Sequence, residues 1–238
     1  MSKDPFLRRI FTIYRLFRED RKELQNYLAD EFATRVVHPS EYASGVVLDA
    51  GCQWGGFMEA FRRGGAASVI GLDIHHRPLV EGNVPAGLVG DMTQAPLADK
   101  SFDLVYARGV IEHVPDQLAF CRECHRILKV GGYVCISTSP WYAPHAGHDE
   151  LRPFHTLPFG VAKWVSERVK GIKIQATDLA GLGLYPITIG RLKNMMLQSG
   201  FELTRMGDAF FERLDWLAYT PLGEILTQHV FVVGQRVQ

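Results

Sequence analysis

The chain has 238 residues, 47% apolar and 22% charged, which is ample for one full core with or without an inserted lobe. Lys+Arg and Asp+Glu number 26 each, so formal net charge is zero and a general electrostatic grip on nucleic acid is not indicated. No apolar run approaches the ~18 residues that span a bilayer. No apolar h-region follows the basic residues 1–9, so the expectation is a cytoplasmic chain without a signal peptide, its four cysteines reduced.

Residues 1–44 read as an N-terminal helical element, broken at His38-Pro39-Ser40 before the first strand. Phe6, Ile10, Ile13, Tyr14, Phe17 and Leu24 recur at helical spacing among Arg8, Arg9, Arg15, Arg18, Arg21 and Lys22. The first reading is a packing or lid helix; a peripheral membrane contact or a dimer contact through its apolar side stays open. From residue 45 to 238 strands and helices alternate. The first strand is 46–50 and its helix is 54–63, stopped by Gly64-Gly65. A strand at 68–73, a short helix near 77–80 and a weak strand at 87–90 follow. The fourth strand is 102–107, and Asp116 caps a helix carrying Leu118 to Val130, which Gly131-Gly132 ends before a strand at 133–138.

Cys121-Arg-Glu-Cys124-His125 matches a c-type haem attachment signature, but it lies on the 3.6-residue pattern of Leu118, Cys121, His125 and Leu128 and is read as helix. After Ser139 the rhythm breaks. Residues at about 140–190 are rich in Pro, His and aromatics and read as an insertion over the site, with one helix at 158–169. A helix at 187–199, a strand from Phe201 and a last strand at 229–237 complete the chain. The pattern predicts an α/β fold, a doubly wound and mostly parallel sheet with ligands at the strands' carboxyl ends.

Val46-Val47-Leu48-Asp49-Ala50-Gly51-Cys52-Gln53-Trp54-Gly55-Gly56 is strand, tight turn and helix start, which brings backbone N–H groups and a helix N-terminus to a small ligand. Asp73, 22 residues after Gly51, closes the second strand where a carboxylate can take two ribose hydroxyls. A dinucleotide fingerprint would need glycine at position 53, where glutamine stands and would obstruct a pyrophosphate. Asp49 also suits a ligand bearing a cationic amine better than one bearing phosphates.

These motifs resemble those of the class I S-adenosylmethionine-dependent methyltransferases. Asp49-Ala-Gly51-Cys52-Gln53-Trp54-Gly55 resembles the family's Asp-x-Gly-x-Gly-x-Gly loop, with Gln53 in place of the middle glycine. Gly71-Leu-Asp73-Ile74, Gly90-Asp91-Met92, Val110-Ile-Glu112-His113-Val-Pro-Asp116 and His125 to Gly132 resemble its later motifs, in the same order. The resemblance implies a seven-stranded sheet of order 3-2-1-4-5-7-6 and S-adenosylmethionine as cofactor, with S-adenosylhomocysteine as product. It implies that Asp49 and the loop Gly51, Cys52, Gln53, Trp54 and Gly55 hold the methionine part. Asp73 takes the ribose and Ile74 packs on adenine. Asp91 and the Met92 backbone bond the adenine edge, and Ala107 and Arg108 lie near the sulfonium and carboxylate.

Methyl transfer is an in-line displacement in which alignment does much of the work and a general base assists a hydroxyl or amine acceptor. His145, His148 and Asp149 in the insertion are the candidate base and its partners, and Trp141, Tyr142, Arg152 and His155 are candidates for the acceptor pocket. Their spacing is not diagnostic of a metal site, and none is assigned. Glu112-His113 reads as a helix-start and packing pair. The expected function is methyl transfer to oxygen or nitrogen of a small-molecule or glycan acceptor; the loop around residues 139–149 resembles those of bacterial glycan and natural-product methyltransferases. The alternatives are a non-catalytic S-adenosylmethionine-binding protein, suggested by Gln53, and a dinucleotide-dependent oxidoreductase.

Overall fold

The computed structural model describes residues 12, 15, 21–82, 84–144 and 146–238. Most of the predicted amphipathic stripe between residues 6 and 24 lies outside these residues, as does any membrane or dimer contact made through it; Leu24 is buried. No helix among the described residues is long and apolar enough to cross a membrane.

Helix α1 (Arg21–Val36) packs on the helix that follows the first strand. Two arginines fasten its end to the far side of the sheet. Arg35 donates to the Asp208 carbonyl (2.6 Å) and Asp215 (2.9 Å), and Arg205 donates to the Val36 carbonyl (2.7 Å) and to Glu41 (2.5 and 2.9 Å). The sheet then builds through β1 (Val46–Ala50), α2 (Gly56–Arg63), β2 (Ser68–Asp73), α3 (His76–Glu81), β3 (Gly87–Val89) and β4 (Phe102–Arg108). It continues through α4 (Gln117–Ile127), β5 (Leu128–Thr138), α5 (Phe159–Lys170), α6 (Ile189–Gln198), β6 (Phe201–Asp208), the short α7 (Gly223–Leu226) and β7 (Val230–Arg236).

The seven strands lie in the order β3-β2-β1-β4-β5-β7-β6, as the resemblance implied. Strands β1 to β5 pair in parallel, and β7 runs antiparallel between β5 and β6. Leu48, Leu72, Val105, Ile136 and Val232 bury one face of the sheet under α4 and α6; Val47, Leu104, Tyr106 and Val233 bury the other under α1 and α2. Asp49 and Tyr106 are register partners, so both project to the same face at the carboxyl end of the central pair. That end carries the glycine loop.

One boundary differs from the sequence expectation. Helix α4 stops at Ile127 rather than running to Val130, because Leu128 already pairs with Phe102 of β4. Lys129–Gly132 then bulge out before Tyr133 meets Leu104, with Gly131 at φ 85°. The carbonyls of His125, Arg126 and Leu128 are taken by Arg236 of β7, at 2.6, 3.1 and 2.8 Å. Asp116 does cap α4, accepting from Ala119 N at 2.9 Å. Cys121 and Cys124 are buried on the inner side of that helix. Within the predicted insertion a small separate core forms, in which Leu151, Ala162 and Ile174 are buried against Phe154, Phe159 and Leu179.

Candidate active site

The turn after β1 is held by backbone alone: Gly51 N and Cys52 N reach the Leu72 carbonyl (2.7 and 3.3 Å), and Gly55 N reaches the Cys52 carbonyl (2.8 Å). Gly51 (φ 77°), Gln53 (φ 45°) and Gly55 (φ 78°) are all left-handed. Gln53 therefore adopts the backbone conformation that a glycine would adopt more easily, and its N–H donates to Asp73 Oδ2 at 3.0 Å. Glutamine at this position is therefore compatible with the tight turn. Trp54 and Gly55 also line a cavity of about 210 Å³ with Arg62, Val84 and Pro85.

Asp49 is buried, and its Oδ2 has no hydrogen-bond partner among the described residues. Burial, with the charge of nearby Asp73 second, pushes its carboxyl up to about 7. A buried carboxylate with one oxygen unpartnered fits a cationic amine, whose charge and donors would satisfy it. Asp73 is buried at the end of β2, where its Oδ1 accepts from His75 N at 2.8 Å. Ile74 beside it is 63% exposed, an apolar surface suited to a flat ring. Asp91 Oδ1 accepts from Thr93 N (2.8 Å) and Oγ1 (2.9 Å), leaving the half-buried Asp91 at the end of β3, and Met92 is buried behind it. Ala107 is buried at the end of β4. Arg108 sits half-buried with its guanidinium 5.6 Å from the Phe57 ring centroid; burial lowers its pKa, countered in part by Tyr106 and Glu112. The residues present fit S-adenosylmethionine.

A polar cavity of about 190 Å³ opens past the carboxyl ends of β4 and β5. Trp141, His148 and Arg152, three of the predicted residues, line it. Glu112, His113, Ser139, Leu184, Tyr185 and Ile187 join them. Tyr142 and Asp149 do not line it. Tyr142 is 53% exposed, and Asp149 meets Arg152 at 3.4 Å. His155 is a correction of a different kind. It is buried behind the cavity wall, its Nε2 bonded to the Trp141 carbonyl at 2.8 Å and its ring edge-on to Trp141, so it holds the wall rather than touching what enters. His145 lies outside the described residues.

Glu112 and His113, read from sequence as helix-start and packing residues, face this cavity from the short 3₁₀ turn after β4. Glu112 Oε2 accepts from Thr138 Oγ1 at 2.9 Å, and desolvation pushes its carboxyl up against the opposing pull of His113 and Arg108. His113 Nδ1 donates to the Gly183 carbonyl at 2.8 Å, which leaves Nε2 as the accepting nitrogen. The His113 and His148 rings lie 5.1 Å apart. His148 has its pKa lowered, by burial first and by His113 next, so it is a neutral, proton-accepting imidazole at pH 7. The only signal for this pairing in the sequence was the position of Glu112-His113 just past strand four. The two sites adjoin through the same segment: a side chain at Gly51 would strike Val110 Cγ2 at 2.3 Å, two residues before Glu112.

Residues 48–136 match the family model described as a methyltransferase domain. The match takes in a little over a third of the chain and marks a methyltransferase domain within it, in line with the motifs that resemble the S-adenosylmethionine-dependent family. A methyltransferase domain over these residues favours S-adenosylmethionine over a dinucleotide as the cofactor. A ubiquinone biosynthesis O-methyltransferase of Proteus mirabilis is 29% identical over 171 residues, which cover 60% of this chain and 66% of that protein. A probable S-adenosylmethionine-dependent methyltransferase of Mycolicibacterium smegmatis is 33% identical over 141 residues, 57% of this chain and 54% of the relative. The chain thus spans between half and two thirds of the length of these curated relatives. Among solved structures, an S-adenosylmethionine-dependent methyltransferase of Mesorhizobium loti superposes with a TM-score of 0.58 at 21% identity, covering 82% of this chain and 93% of that one. That likeness bears on the fold, and the seven-stranded order of this chain agrees with it.

Proposed function

We propose that this methyltransferase transfers a methyl group from S-adenosylmethionine to an oxygen of a small-molecule acceptor, whose reacting end enters the cavity between Glu112, His113, Trp141, His148 and Arg152. The observation that carries the reading is the pairing of two unlike environments across one short segment. On one side of Val110 stands the glycine loop with the unpartnered Asp49 carboxylate; on the other stands a polar cavity with a neutral imidazole. At about 190 Å³ the cavity is smaller than the ~300 Å³ at which drug-sized pockets begin, so it suits one ring or sugar unit rather than a whole large acceptor. The name of the Proteus relative supports oxygen over nitrogen as the attacked atom.

When bound, S-adenosylmethionine supplies a methyl group on a positively charged sulfur that departs as a neutral thioether. The chain's residues do the rest. Asp49 and the glycine loop hold the amino-acid end, Asp73 the ribose, and Ile74 and Asp91 the adenine. Arg108 neutralises the carboxylate, and Trp141 with the Arg152 guanidinium orients the acceptor. As the acceptor oxygen forms its new bond to carbon, its proton passes to an imidazole nitrogen of His148. Glu150 and Asp149, whose charges raise the His148 pKa, stabilise the positive charge that forms on it.

The test is a methyl-transfer assay over an acceptor panel of phenols, catechols and sugars, run beside calorimetric titration with S-adenosylhomocysteine. His148→Ala should slow transfer by ~10²-fold or more while leaving product affinity within about twofold. Asp73→Ala should abolish product binding. Undiminished turnover in His148→Ala would remove the base assignment, and failure of the wild-type chain to bind S-adenosylhomocysteine would end the reading.

A further inference from the structure

Helix α5 (Phe159–Lys170) lies in the small lobe that contributes Ala146, Gly147, His148 and Arg152 to the cavity. Its two faces have opposite characters. Ala162 and Ser166 point inward and are fully buried, Ala162 in the lobe's own core with Leu151 and Ile174. On the other side Val161 and Trp164 are 48 and 57% exposed, and Leu157, just before the helix, is 42% exposed. Arg168 continues the stripe one turn later, with its guanidinium 4.9 Å from the Trp164 ring centroid. Nothing is packed over this stripe among the described residues, and a side chain at Gly160, on the same face, would meet only open space.

The charge within this segment is mostly positive. Between residues 157 and 173 stand Lys163, Arg168, Lys170 and Lys173 against one acid, Glu167, in a chain whose net charge is zero. The Glu167 carboxylate is engaged inside the lobe, where its Oε1 accepts from Ile174 N at 2.9 Å. Lys163 and Lys170 reach the backbone carbonyls of Ala176 and Asp149, which leaves Arg168 and Lys173 exposed at the end of the stripe. An exposed tryptophan with aliphatic neighbours, flanked by cations, matches the boundary between acyl chains and anionic headgroups.

We propose that the outer face of α5 docks this methyltransferase on an anionic lipid surface, with Leu157, Val161 and Trp164 entering the headgroup layer and Arg168 and Lys173 meeting the phosphates. The docked lobe would set the cavity beside the bilayer, where an acceptor with a lipid-soluble tail leaves only its polar end to enter. This rests on the face of α5 and holds whether or not the transfer reaction proposed above is correct.

The experiment is co-sedimentation of the full chain with phosphatidylglycerol-containing vesicles, with pure phosphatidylcholine vesicles as the uncharged probe. Binding is expected to the anionic vesicles, to weaken at high salt and to be slight on phosphatidylcholine. Trp164→Ser should lower the partition coefficient about tenfold, and Arg168→Glu severalfold, with S-adenosylhomocysteine affinity unchanged in both as proof of folding. Three results would overturn the proposal: no binding to anionic vesicles, binding that ignores both substitutions, or a dimer in vesicle-free light scattering that Trp164→Ser dissociates. The last would mean that a second copy covers the face.

Discussion

Asp49 offers a test in which stability and binding move in opposite directions. In the folded chain its carboxyl rises from an ordinary 3.8 to about 7, chiefly through burial. A raised folded pKa in an acid means that ionisation opposes folding. The cost is absent below pH 3.8, grows between 3.8 and 7, and is constant above 7. At 1.36 kcal/mol per pH unit, that rise amounts to about 4 kcal/mol at pH 8 and about 1.6 kcal/mol at pH 5. Asp49→Asn removes the charge and keeps the shape. Without ligand it should therefore melt higher than wild type at pH 8, by about 3 kcal/mol more than at pH 5. For a chain of this length that difference is roughly 6–12 °C in Tm. Added S-adenosylhomocysteine should reverse the order at pH 8, because its ammonium compensates a carboxylate and not an amide. Melting curves at the two pH values, with and without ligand, supply all four numbers. If the Asn variant gains the same amount at both pH values, or still gains with saturating ligand, the buried ionised carboxylate is not what this site stores for its cofactor. Calorimetry adds a second reading: below pH 7 wild-type binding should release a proton from Asp49, and the variant should not.

Gln53→Gly relieves a left-handed residue (φ 45°), so it should stabilise the fold by up to about 1 kcal/mol and leave S-adenosylhomocysteine affinity within about twofold; a clear loss of either would show that the glutamine side chain itself is needed. Gly51→Ala and Gly131→Ala both place a side chain at positive φ, yet only the first strikes a neighbour, Val110 Cγ2 at 2.3 Å. Denaturant melts should show about 1 kcal/mol lost for Gly131→Ala and at least about 2 kcal/mol more for Gly51→Ala. Arg236→Met strips donors from three carbonyls at the end of α4 and should cost on the order of 3 kcal/mol, read by urea unfolding; a cost under 1 kcal/mol would mean that water replaces the guanidinium. Because burial and His113 lower the pKa of His148, the transfer rate should stay flat as pH falls past 6.5 and decline only below it, and Glu150→Gln, which removes a charge that raises that pKa, should move the decline to still lower pH.

What the residue order determined by itself is whatever depends on near neighbours. Apolar runs ending in Asp49, Asp73 and Asp91 marked three strand ends, Asp116 marked a helix start, and Gly51 to Gly55 marked a turn that must expose backbone N–H groups. Strand order was implied by the resemblance of the ordered motifs to the methyltransferase family, and the sheet has that order. The helix that seemed to run to Val130 shows where this stops. Leu118, Cys121, His125 and Leu128 keep helical spacing, but Leu128 gains more by pairing with Phe102 and Arg236 takes the freed carbonyls, and both partners are distant in sequence. The acceptor cavity was less legible still. Its walls come from residues 112–113, 139–152 and 184–187, and their closure depends on long-range bonds: Tyr185 N to the Glu112 carbonyl, His113 Nδ1 to the Gly183 carbonyl, and Gln117 Nε2 to the carbonyls of Ile111 and Tyr185. Histidine spacing within one loop could not say that His148 would face His113 while His155 turned inward to hold Trp141. Side-chain direction in an irregular segment is set by what packs against it, and only the tertiary structure decides that.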